Sequence, residues 1–193
     1  MKNLPIALTL IISTLLSIAA AAPWAQTLTK GNKNITKLHF YVHNLDGGPK
    51  LPNNTVFLVA NASITATSPT RFGHVDVFDD LVTAAPDIRS EQVARVQGTA
   101  AYAGLQSFAI ALNAHFYITS GEFNRSTLGV AAHITVMDRS REVPVIGGTG
   151  AFRLARGYCL SSIYSSDFAT GYSILEYTIY VVTHSHEIVW TGA

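Results

Sequence analysis

The run SFAIALNAHFYIT, residues 107–119, restricts what this chain can fold into more than any other segment. Its even positions, Phe108, Ile110, Leu112, Ala114, Phe116 and Ile118, are all apolar, while the odd positions are small or polar. A period of two sends one face to a hydrophobic layer and the other elsewhere, which is a β-strand. Helical spacing would draw Asn113 and His115 into the apolar stripe. STLGVAAHITV repeats the pattern with Leu128, Val130, Ala132, Ile134 and Val136, and YSILEYTIYVVT with Leu175, Tyr177, Ile179 and Val181. KLHFYVH, TVFLVA, FGHVDVF, VARVQGTAAYA and FRLARGYCLSSIY are further strand candidates, separated by turn signals such as Asp46-Gly47-Gly48-Pro49 and Ser120-Gly121. No segment carries a long amphipathic helix. About eight short strands argue for an antiparallel barrel or sandwich. Closure removes sheet edges, which suits a chain that is 48% hydrophobic and 13% charged. The expectation is therefore an all-β chain: an eight-stranded antiparallel β-barrel, wide enough inside for side chains or one small ligand.

One stretch competes with this reading. In REVPVIGGTGAFRLARGYC, residues 141–159, an apolar run from Val143 to Ile146 meets Gly147, Gly148 and Gly150, as in a dinucleotide-binding turn. Such a turn needs a helix behind it, because the helix N-terminus supplies the amides and the dipole. The residues after Gly150 alternate as a strand does, Arg153 stands where the third glycine is expected, and the chain upstream is not βαβ. The glycines are read as turning a strand.

The N-terminus bears on the compartment. Lys2 precedes LPIALTLIISTLLSIAAAA, a short apolar core ending in small residues, which predicts a secretory signal peptide over residues 1–22. A polar lead-in (23–36), the barrel domain (37–184) and a tail (185–193) are expected to follow. Four sequons, at Asn34, Asn53, Asn61 and Asn124, fit a glycosylated secreted protein. Lys and Arg number 13 against 12 Asp and Glu, so there is no basic stripe for nucleic acid, and no later segment reads as a membrane span. Cys159 is the only cysteine, which excludes an intramolecular disulfide, and its apolar strand pattern predicts a buried structural thiol.

The glycine block resembles the most distinctive stretch of the plant dirigent proteins. LHFYVHN, FGHVDVFDDLVTAAP, VARVQGT, ITSGEFNRSTL and ILEYTIYVV resemble its other blocks in order, from about Lys37 to Thr183. The resemblance implies an oligomeric eight-stranded barrel, a homodimer or homotrimer, secreted to the apoplast. It implies binding of phenylpropanoid radicals or quinone methides, made by a separate oxidase, and control over the stereochemistry of their coupling in lignan- or lignin-type chemistry, with no cofactor. Radical combination has little barrier, so fixing how the reactants face each other is the positioning effect in nearly pure form. Two other functions stay open: an isomerase, cyclase or dehydratase on the same barrel, and a binding module for cell-wall glycans or lignin.

The resemblance also directs attention to particular residues. Arg141 matches the family's arginine and is the catalytic candidate, suited to a phenol or quinone-methide oxygen; its alternative is an ion pair with Glu142 or Asp138. Where the family carries acids, this chain has Asn44 and Ile134. Asn44 cannot act as a base and Ile134 offers only shape, which disfavours proton-moving chemistry and makes both substrate-contacting candidates. Tyr102, beside Ala100 and Ala101, is a third, as a stacking or hydrogen-bonding group. Asp79-Asp80 is expected in a solvated turn. His184 and His186 have the spacing of two metal ligands on one strand face, but no further ligand is identifiable, and no metal site is expected.

Overall fold

The computed structural model describes residues 23–30, 32–48 and 53–184. The signal-peptide segment and the tail with His186 lie outside the described residues. Ten strands succeed one another: β1 (Ala25–Lys30), β2 (Lys33–Leu45), β3 (Val56–Ala60), β4 (Val75–Thr83), β5 (Gln92–Tyr102), β6 (Ala109–Ile118), β7 (Thr127–Thr135), β8 (Ser140–Thr149), β9 (Arg156–Asp167) and β10 (Tyr172–His184). The hydrogen-bonded order β2-β10-β9-β8-β7-β6-β5-β4 returns to β2, so eight antiparallel strands close a barrel. The predicted fold class stands.

Closure is narrow. β2 meets β4 only through Tyr41↔Thr83, Val42↔Val82 and His43↔Leu81. Beyond that seam β1 runs along the first half of β2, and β3 along the first half of β4. His43 reinforces the joint, with Nε2 2.6 Å from Thr83 Oγ1 and Nδ1 2.6 Å from the Tyr172 hydroxyl. Burial keeps the His43 pKa below its ordinary value.

Three elements differ from the sequence reading. Residues 23–36, expected as a polar lead-in ahead of the barrel, supply β1 and the start of β2. β1 is exposed along its whole length after Ala25, so it carries no alternation; the backbone pairing with β2 holds it. The glycines of the central block do not turn the chain where expected. Gly147 and Gly148 stay in β8, paired with Gly129 and Leu128, and the turn comes at Gly150. Gly150 has φ 61°, and a Cβ there would stand 2.6 Å from Ser126 Oγ. From Gly150 to Phe152 the chain makes a single 3-10 turn, which buries Phe152. β9 therefore starts at Arg156, not at Phe152.

Inside the barrel the predicted parity holds. Ala114, Phe116 and Ile118 of β6, Leu128 and Val130 of β7, and Ile179 and Val181 of β10 are buried together. The end of the barrel carrying the β6–β7 and β8–β9 turns is filled. Phe123 and Phe152 approach to 5.0 Å between ring centroids, and Trp24, preceding β1, sits edge-on to Phe123 at 6.5 Å. Halfway up, Phe40, Phe116 and Tyr177 form an aromatic floor with centroids 5.2–6.3 Å apart. Cys159 is fully buried, and burial pushes its thiol up to about 12, as expected of an inert structural cysteine.

Candidate active site

Above the aromatic floor the barrel is hollow. A cavity of about 180 Å³ opens toward the β5–β6 and β7–β8 turns, with walls of Val42, Val96, Leu112, Val130 and Leu175 among others. Small residues make the room. Ala100 and Ala114 line it, and Gly98 stands opposite Phe78, whose ring would meet a Cβ on Gly98 at 2.9 Å. All four positions singled out from the sequence, Asn44, Tyr102, Ile134 and Arg141, border this one space. Strand parity brings them there: Asn44 shares the inward face of β2 with Phe40 and Val42, and Ile134 that of β7 with Leu128 and Val130.

Arg141, at the start of β8, makes no ion pair with Glu142 or Asp138 among the described residues. Its Nη2 donates to the Val136 carbonyl at 2.8 Å, which ties the side chain to the β7–β8 turn. Its Nε is buried and has no partner among the described residues. A buried donor without an acceptor is costly, and a guest's oxygen would satisfy it.

The expectation for Asp79-Asp80 is overturned. Both lie within β4, not in a solvated turn. Asp79 faces outward, 2.6 Å from Arg95 Nε, whereas Asp80 is 2% exposed and lines the cavity. Asn44 Nδ2 donates to Asp80 Oδ2 at 2.8 Å across the β2–β4 seam, while Oδ1 is buried without a partner among the described residues. Burial pushes the Asp80 carboxyl up to about 6, against the opposing pull of the Asn44 hydrogen bond. Asp76, two inward positions earlier on β4, is a second buried carboxyl on the wall, and its pKa is also raised chiefly by burial.

The cavity thus contains proton-carrying groups despite Asn44 and Ile134. Asp76, Phe78, Asp80 and Val82 have the same parity, and that was the sequence signal that could have revealed them. The adjacent aspartates looked like turn chemistry instead. The arrangement offers a donor at Arg141 Nε, an acceptor or acid at Asp80 Oδ1, and an apolar surround in which both act strongly.

The remaining candidates lie elsewhere. Asn53, Asn61 and Asn124 are exposed, and Asn34 is half-buried at the start of β2, where its Oδ1 accepts from Thr29 Oγ1 at 2.8 Å. His184 ends β10, exposed, in register with Lys33.

The sequence matches the family described as Dirigent-like protein over residues 35–182. It is 39% identical to Dirigent protein 21 of Arabidopsis thaliana over 147 residues, 76% of either chain. It is 37% identical to Pterocarpan synthase 1 of Glycyrrhiza echinata over 150 residues, covering 77% of this chain and 78% of that one. Among solved structures, the pterocarpan synthase dirigent protein GePTS1 superposes with a TM-score of 0.73 at 34% identity, covering 84% of this chain and 92% of that one.

Proposed function

We propose that this chain, which belongs to the dirigent-like protein family, seats an oxidised phenolic intermediate in its barrel and dictates the stereochemistry of the bond it forms. The observation that carries this reading is that Arg141 and Asp80 line one largely apolar cavity, each with a buried atom, Nε and Oδ1, that has no partner among the described residues. They suit a guest that brings an acceptor oxygen to Arg141 and a group able to exchange a proton with Asp80. A phenoxyl or quinone-methide oxygen suits Arg141, whose guanidinium stabilises developing negative charge there.

The substrate class we propose is a hydroxycinnamyl phenol such as coniferyl alcohol, oxidised to its radical by a separate oxidase and coupled in lignan- or lignin-type synthesis. Phenoxyl coupling leaves quinone methides, and these regain aromaticity when a hydroxyl adds to the methide carbon. The hydroxyl then loses a proton and the quinone-methide oxygen gains one. Asp80, neutral up to about pH 6, is placed to deliver that proton and be refilled from the hydroxyl.

The same carboxyl favours a second reading, an isomerase, cyclase or dehydratase acting on a preformed intermediate. That reading requires a proton-moving group in the cavity, and Asp80 supplies one. The names of the pterocarpan synthase relatives point the same way.

Secretion to the apoplast, use of the sequons and assembly as a homodimer or homotrimer belong to the same proposal. Assembly is supported by exposed Ile146, Tyr158, Leu160 and Tyr164 on the outer wall of β8 and β9.

Chiral chromatography after incubation with coniferyl alcohol, with and without a one-electron oxidant, tests the readings. Optically active coupling products that require oxidant support the directing role. Conversion of a preformed quinone methide or pterocarpan-type alcohol without oxidant supports the second reading. Racemic products throughout discard both and leave a binding module.

A further inference from the structure

We infer that Asp76, with Tyr102 beside it, forms a second subsite that accepts a hydroxyl at the far end of the guest, and so selects phenols bearing one. The inference rests on the reading of the cavity as a phenol site and adds to it a determinant of specificity.

Asp76 and Asp80 lie four residues apart on one face of β4, so their Cα atoms are roughly 13 Å apart, with Phe78 between them. Asp80 lies level with Phe116 through Val96, and Arg141 level with Tyr177 through Ser161, so both mark the inner end of the hollow, at the aromatic floor. Asp76 marks the other end, near Tyr102 at the close of β5. Allowing each hydrogen bond its ordinary length, the two carboxyls match hydroxyls on the order of 10 Å apart along a flat guest lying on Phe78.

Asp76 is held as a positioned acceptor, not as a solvated charge. It is 5% exposed, and its Oδ1 lies 2.8 Å from His74 Nε2. His74 Nδ1 lies 3.1 Å from Asn61 Oδ1, so its ring is fixed from both sides. Arg71 completes the frame: Nη2 is 2.6 Å from His74 Nε2, Nη1 donates to the Tyr102 hydroxyl at 3.3 Å, and Cζ sits 4.6 Å over the Tyr102 ring. The Arg71 backbone adopts φ 55° to reach this position, in the left-handed region that non-glycine residues rarely adopt. With its proton on Nε2, His74 donates to Asp76 Oδ1, and Arg71, which cannot donate to that same nitrogen, is held by the Tyr102 hydroxyl and ring, while Asp76 Oδ2 has no hydrogen bond within the described residues and belongs to a side chain on the cavity wall. Its neighbours fix it in place and leave one oxygen for a donor.

The test compares two ligands that differ only at the remote end: coniferyl alcohol and isoeugenol, in which the terminal CH₂OH is CH₃. Affinities are measured by calorimetry without oxidant, on the wild type and on Asp76→Val and Asp76→Asn. The wild type is expected to bind coniferyl alcohol about tenfold more tightly, against the greater apolarity of isoeugenol. Asp76→Val should bring the two ligands within about twofold by weakening the alcohol alone, with Asp76→Asn intermediate. Asp76→Asn keeps the shape and serves if the valine variant does not fold. A wild type that fails to prefer the alcohol, or variants that keep the preference, overturn the subsite and leave the phenol site standing. Binding of neither ligand overturns both.

Discussion

The two ends of the barrel are built by the same eight strands with the same inward parity, and they differ only in what the inward positions carry. At the closed end these are Leu38, Ile118, Leu128 and Ile179, capped by Trp24, Phe123 and Phe152, all buried. At the open end they are Ala100, Asp76, Asp80, Tyr102 and Arg141, and a hollow remains. Alternation dictates the wall in both cases. Side-chain volume and charge then decide whether the wall encloses a core or a site, so stability should concentrate at one end and chemistry at the other.

Substitutions can break that division. The largest expected effect is at the floor between the two ends, where Phe40 is wholly buried against Phe116 and Tyr177. Phe40→Ala should lower the unfolding free energy in a denaturant titration by about 3–5 kcal/mol. A cost below about 1 kcal/mol would mean the floor is not close-packed.

Asp80 should behave in the opposite sense. Its folded pKa is raised from 3.8 to about 6, so folding favours the protonated form. The stability this gives is fully present below the unfolded value and is lost as pH rises to about 6. Two pKa units correspond to roughly 3 kcal/mol at most. Asp80→Asn should therefore be more stable than the wild type at pH 7 and nearly equal to it at pH 4, while losing stereoselective product formation. Parallel pH–stability curves for the two proteins would refute the buried-acid account.

Arg141→Ala should cost only about 1 kcal/mol, the worth of its bond to the Val136 carbonyl, yet remove enantiomeric excess. Unchanged selectivity would take Arg141 out of the site. The smallest effect belongs to the outside of the wall. Arg95→Ala, which breaks a half-exposed ion pair with Asp79, should change stability by less than about 1 kcal/mol and leave product handedness untouched.

Most of this architecture was legible in the residue pattern, because a half-buried strand writes its two faces into alternate positions. Phe108 to Ile118 of the β6 run and Leu128 to Ile134 announced the inner wall, and parity put Ile134 and Asn44 on the cavity. β1 was not legible, since a strand exposed on both faces has no apolar phase to read. Nor was the turn at Gly150: Gly147 and Gly148 look like turn residues, and only their partners across the sheet keep them in β8. Asp80 escaped for a related reason. A carboxyl's neighbours in sequence say nothing about the desolvation it meets after closure, and its partner, Asn44, lies 36 residues away.

The three rungs joining β2 to β4 have a mechanical meaning. A tube fastened over so short a length parts there sooner than along its longer joints, so its bore is least fixed beside the Asn44–Asp80 contact. A charged Asp80 makes the stronger bond to Asn44 across that joint, so clasp and chemistry share one group.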